Sequence, residues 1–265
     1  MCNYTKQLIE NLKSIQGDNN NIFEYSYWNK RRSELRNRII KEGPENFLQW
    51  NLNENNHQGF SAPQRLQELK AESGWEKFKE LLDIGPHGNP FFQEGLDGVH
   101  QNMIIQCHRL KTLLDNIEPK KPIRHILEFG CDYGAMCKLI KSLWFKGEYH
   151  LYDFPEYSAL QQWFLEKNEI DNFFCWSDTK YVPIKIDLFI SMFALAEAPP
   201  ELRTFFLDKI QADYIYIGYC TKFLDEINND EYFDKYMKEK PNYSWTIIHD
   251  SVEPTERLLI GVNSD

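Results

Sequence analysis

No run in the 265 residues approaches the ~20 apolar positions that a helix needs to cross a bilayer. Positive charge is also scarce: 30 Lys and Arg against 40 Asp and Glu leave a formal net charge of -10. A general nucleic-acid surface needs clustered cations, so DNA and RNA are not expected partners. Cysteine is sparse, with six residues scattered at 2, 107, 131, 137, 175 and 220 and no C-x-x-C. That scatter fits reduced, buried thiols better than a disulfide framework. No H-E-x-x-H, paired-cysteine or EF-hand spacing occurs, so no metal is expected. The absence of G-x-x-x-x-G-K-[ST] disfavours nucleotide hydrolysis, and that of G-x-S-x-G disfavours a serine esterase. The first residues, Met1 to Gln7, lack the apolar core of a secretory leader, and the expected compartment is the cytoplasm.

What the chain does have is 42% hydrophobic and 15% aromatic content, enough to pack most of its length. Its character changes near Pro122. Before it, apolar spacing predicts helices at about 4–16, 25–42, 62–83 and 97–117, with Asn and Gly breaking the 50–60 region and a Gly/Pro loop at 84–90. After it, short apolar strands alternate with amphipathic helices. The strands fall at 125–129, 149–152, 173–176, 186–193 and 214–219, followed by a pair at 245–248 and 257–262 that reads as an antiparallel hairpin. This alternation predicts an α/β fold with a mostly parallel sheet, whose ligands bind at the carboxyl ends of the strands. A helical segment, 1–119, is expected to cap the site and select substrate for a sheet domain, 120–265.

Glu128-Phe129-Gly130-Cys131-Asp132-Tyr133-Gly134 joins the first strand to a helix. Gly130 permits a tight turn, Gly134 a close approach of the helix, and the N–H groups at the helix start can face an anion. A plain strand-turn-helix is the competing explanation. An acidic residue followed by G-x-G-x-G resembles the first motif of class I S-adenosylmethionine-dependent methyltransferases, with Asp132 where the middle glycine is usual. More narrowly, four segments are similar to the sugar O-methyltransferases of bacterial surface-polysaccharide clusters. They are Ile126 to Gly134, Tyr149 to Glu156, Leu160 to Leu165, and Asp187 to Ser191 with Ala196-Glu197. The likeness covers about residues 122–220. That family usually has Gly-Gly-Gly-Tyr-Gly in the loop and Ser-Glu at 196–197, so Cys131, Asp132 and Ala196 depart from it.

The resemblance implies a Rossmann-like class I methyltransferase fold: a mostly parallel seven-stranded sheet with an antiparallel last strand, and an N-terminal helical cap. It implies S-adenosylmethionine as cofactor, bound by Glu128, Gly130, Cys131, Tyr133, Gly134, Asp153, Phe154, Asp178 and Ser191. Asp153, ending the second strand, is placed to accept from both ribose hydroxyls and Phe154 to pack on adenine, while Asp178 is placed to accept from the adenine amino group. Helix capping competes at Asp153 and Asp178. Candidate bases are Glu197, against a helix-start role, and His249 with Asp250 beside it, against a surface histidine. His87, His100 and Tyr219 are placed to meet the substrate, each against a structural role. Lys30, Arg31, Arg32, Arg36 and Arg38 form either a solvated helix face or a landing site for phosphate. The expected acceptor is a sugar or nucleotide-linked sugar, and a homo-oligomer is allowed. Two alternatives stay open: methylation of an amine, carboxylate or phosphate-like oxygen, and a non-catalytic module that keeps the fold.

Overall fold

The computed structural model describes residues 3–15, 26–50, 57–72, 75, 79–223 and 227–264, and not the side chains of 26, 27 and 57–60. Seven strands form the central sheet: β1 (His125–Phe129), β2 (Glu148–Tyr152), β3 (Phe173–Trp176), β4 (Lys185–Met192), β5 (Gln211–Cys220), β8 (Tyr243–His249) and β9 (Glu256–Asn263). Their order is β3-β2-β1-β4-β5-β9-β8. The first five run parallel, and β9 lies antiparallel between β5 and β8. A short ribbon of β6 (Lys222–Phe223) and β7 (Ile227–Asn228) stands apart. The protein is therefore an α/β chain with the Rossmann-like sheet and the reversed strand that the sequence implies. β1 sits between β2 and β4, so strand order reverses there; in sheets of this kind the ligand cleft lies at the carboxyl ends beside that point.

Helices cover both faces because both faces are apolar. In β1, Ile126 joins one core cluster while Leu127 and Phe129 join the other. α1 (Asn3–Ser14), α2 (Ser26–Glu42), α3 (His57–Ala71), α4 (Gln101–Asn116), α5 (Ala135–Leu143) and α6 (Pro155–Lys167) build the first layer. α7 (Pro200–Lys209) and α8 (Asn229–Glu239) build the second. Pro155 and Pro200 open their helices at the first turn, where no N–H is needed. Leu8, Leu12, Leu35, Ile39, Leu66 and Met103 share one core cluster with Ile126, Met136, Trp163 and Tyr216. The N-terminal helices and the sheet thus bury a common interior.

Two helix expectations need correction. The helix expected over 62–83 ends at Ala71, where the Glu72 N–H turns onto Leu69 O, and a separate 3-10 turn forms at Glu80–Leu82. The helix expected from 97 starts at Gln101, because Asp97 and Gly98 take φ of +53° and +73°. Most of the expected 50–60 break, 51–56, lies outside the described residues. β3 reaches β4 through a 3-10 turn, Thr179–Tyr181, with no α-helix between. On that margin His150, Phe174, Trp176 and Tyr181 stack in series, with Phe174 and Tyr181 exposed. None of the described helices is long and apolar enough to cross a membrane.

Candidate functional site

Beyond Phe129 the chain bends in alternation. Gly130, Asp132 and Gly134 take φ of +72°, +50° and +93°. Aspartate is among the few side chains that visit this left-handed region, so Asp132 follows the path a glycine would. Gly130 has a second constraint: a Cβ there would lie 1.9 Å from the Ala194 Cβ. Tyr133 anchors the loop. Its hydroxyl accepts from Asn102 Nδ2 at 2.9 Å, and its buried ring packs on Phe47 and Phe164. Cys131 points inward, its thiol donating to Glu128 O at 3.1 Å.

Carboxylates gather around this loop. Asp153 Oδ2 accepts the Cys131 N–H at 2.8 Å and Gln161 Nε2 at 3.0 Å, while Oδ1 accepts the Phe154 N–H at 2.8 Å. Burial pushes its pKa up to about 7; the Phe154 N–H opposes the rise and the Asp132 charge adds to it. Asp132 is exposed to water, yet desolvation by the surrounding protein pushes it up to about 6. Glu128 lies wholly inside the fold, accepts from Tyr149 Oη at 2.9 Å, and is pushed by desolvation to about 8. Gln161 Oε1, buried on the same amide that donates to Asp132 O and Asp153, has no hydrogen-bond partner among the described residues.

The far wall comes from the end of β4. Ser191 Oγ donates to Phe129 O at 3.1 Å and accepts the Leu195 N–H at 3.0 Å, which ties β4 to β1 and occupies the hydroxyl. Phe193 takes φ of +70°, a strained value for a bulky side chain, and its N–H donates to Gly218 O at 2.8 Å. It opens the 3-10 turn Ala194–Glu197. Glu197 is half-buried, and burial raises its pKa to about 7 against the opposing charges of Arg31 and Arg203. A carboxylate of that pKa is suited to accept a proton near neutrality.

Helix α2 closes over this edge. Arg32 Nε donates to the buried Glu156 at 2.8 Å while its guanidinium lies 4.7 Å over the Phe154 ring. Arg36 stands 3.9 Å from Glu156, and Arg38 pairs with Glu42 at 3.2 Å. The basic cluster is therefore largely spent on protein carboxylates, and one face of Phe154 is already covered. His100 caps α4 by accepting the Asn102 N–H; burial pushes its pKa to about 4, so it stays neutral.

Glu128, Gly130, Cys131, Tyr133, Gly134, Asp153, Phe154, Ser191 and Glu197 thus converge on the carboxyl ends of β1, β2 and β4. Asp178, just past β3, is exposed, accepts the Lys180 N–H and pairs with Lys180 Nζ at 2.7 Å. Tyr219 packs on Phe233 at the end of β5. His249 ends β8, three strands from β4 and so about 14 Å away. Asp250 does not orient it: that carboxylate binds Arg65 at 2.7 Å. His87 sits beside Trp163 and Lys167, toward the far end of α6 from the cleft. Sequence reasoning passed over Asn102, Gln106, Arg109, Gln161 and Phe193. An arginine among the apolar residues of α4 was the one available signal. Among the described residues no group of three or more His, Cys, Asp or Glu is arranged to hold a metal.

No family model matches the chain, and a search of curated proteins finds no relative. Solved structures do match. One is a SAM-dependent methyltransferase from Aquifex aeolicus, 14% identical over 58% of this chain and 88% of that one, with a TM-score of 0.45. Another is the CurJ carbon methyltransferase, 13% identical over 61% of this chain and 54% of that one, TM-score 0.45. A third, the 16S rRNA methylase ArmA, is 19% identical over 70% of this chain and 97% of that one, TM-score 0.43. Identities this low mark a distant likeness of fold.

Proposed function

We propose that this chain transfers a methyl group from S-adenosylmethionine to a hydroxyl of a small polar acceptor, a sugar or nucleotide-linked sugar, and releases S-adenosylhomocysteine. The observation that carries the reading is the left-handed loop 130–134 standing beside Asp153 at the point where strand order reverses. The donor set suits the cofactor. Asp132 and Asp153 repel one another, and a sulfonium or ammonium group between them relieves that repulsion. The orphaned Gln161 Oε1 offers a further acceptor for a ligand N–H or O–H. When bound, the cofactor supplies an electrophilic methyl group. Asp153 would hold the ribose hydroxyls, and Glu197 would take the proton from the acceptor hydroxyl as its oxygen forms the new bond. Glu197 is preferred to His249 as base because it stands on the cleft wall. A cytoplasmic enzyme of surface-polysaccharide synthesis is the setting that fits this chemistry.

Calorimetry with S-adenosylhomocysteine tests the reading. Binding is expected, weakened about tenfold by Asp153→Asn through loss of charge-assisted hydrogen bonds. Absence of binding heat would end the proposal. Activity is expected to rise with pH through about 7, as Glu197 loses its proton, and to fall at least about a hundredfold in Glu197→Gln. Full activity in that variant would point to an acceptor that is already deprotonated.

A further inference from the structure

Helix α4 carries a polar stripe that no step of the proposed reaction uses. Asn102, Gln106 and Arg109 stand four and three residues apart, on one flank of the helix. That flank faces the ends of β1, β4 and β9. Asn102 reaches Tyr133, and Gln106 Nε2 donates to Asn102 Oδ1 at 3.4 Å. The Arg109 guanidinium lies 4.4 Å over the strained Phe193 ring and donates from Nη2 to Glu256 at 3.4 Å. Tyr216 Oη donates to Arg109 O at 2.7 Å and fixes the helix there.

Two atoms of this stripe, Gln106 Oε1 and Arg109 Nε, are buried and have no hydrogen-bond partner among the described residues. Arg109 is only 1% exposed, so its charge is held by a ring face and one long hydrogen bond. Its carboxylate is also shared, since Glu256 faces Arg65 at 3.3 Å, and Arg65 in turn holds Asp250. Leaving such a donor unmade is costly, which calls for a missing partner. An orphaned acceptor and an orphaned cationic donor lie about one helical turn apart, and the donor packs on Phe193, which opens the turn that carries Glu197. Together they complement a molecule that offers a hydroxyl and an oxyanion.

We propose that this stripe is the acceptor subsite and that the acceptor is a polyol bearing a carboxylate or phosphate. Its hydroxyl donates to Gln106 Oε1, and Arg109 Nε–H donates to its oxyanion. The assignment rests on the methyltransferase reading for the role of the neighbouring Glu197. The test is calorimetry on the full chain loaded with S-adenosylhomocysteine, titrated in turn with glucuronate, glucose-6-phosphate and glucose. At least one charged sugar is expected to bind about tenfold or more tighter than glucose, and the stronger of the two names the anion. Arg109→Met should erase the preference. Arg109→Lys keeps a charge against Glu256 but lacks the Nε–H, and should reduce it while preserving the fold. Equal binding of all three sugars, or a preference undiminished in both Arg109 variants, overturns the subsite. Loss of S-adenosylhomocysteine binding itself would instead overturn the methyltransferase reading.

Discussion

Glu128 sits where water cannot solvate its charge, and that has a measurable cost. Its folded pKa of about 8 lies above the ordinary 4.5. Between those values the folded chain keeps a proton that the unfolded chain has lost, so raising pH across this window favours unfolding. Glu128→Gln keeps an acceptor for Tyr149 and removes the titration. Its Tm is expected to exceed that of the wild type by a few degrees at pH 8, with the gap closing near pH 5. A gap that stays constant between the two pH values refutes the assignment. At this scale the sequence was partly legible. Gly130 and Gly134 announce a bent connection, and Asp132 belongs to the few residues that can replace a glycine in it. Phe193 gave no such sign, because nothing local makes a bulky aromatic adopt φ of +70°; the fold around it imposes that value. Arg109 gave one sign, a charge among the apolar positions of α4.

Among the elements, α2 shows how a correct helix assignment can still conceal a role. Its span was readable from spacing, but its direction over the cleft depends on Glu156, 124 residues away from Arg32. Arg32→Met leaves Glu156 buried, with its nearer guanidinium gone and Arg36 3.9 Å away. The expected cost is up to about 3 kcal/mol, with faster hydrogen exchange through α2. Adding Glu156→Gln removes the stranded charge and should restore most of the loss. Exchange in α2 unchanged by Arg32→Met would show that the helix is held by its apolar face alone. The strands were the most legible elements, since alternation and short apolar runs mark them directly. The end of α3 was less so, because apolar spacing continued past the point where the hydrogen bonding tightens.

For the whole molecule, the parallel sheet followed from alternation, while the shared interior did not. Nothing in the pattern of Leu8, Leu12, Leu35 or Ile39 says that they meet Met136 and Trp163. Residues 120–265 made alone would expose the face those side chains cover. That fragment is expected to lack fixed tertiary packing, seen as lost near-ultraviolet circular dichroism and no cooperative melt. A fragment that unfolds cooperatively would show that the sheet domain completes its own core. The direct turn from β3 to β4 has an effect of another kind. It leaves an aromatic rim on the outermost strand of a chain carrying ten excess negative charges. In dilute buffer mutual repulsion keeps copies apart, but at about 1 M salt its reach shrinks to roughly 3 Å. That rim then becomes one place where neighbouring copies can cohere, so colloidal behaviour is set by ionic strength as well as by concentration.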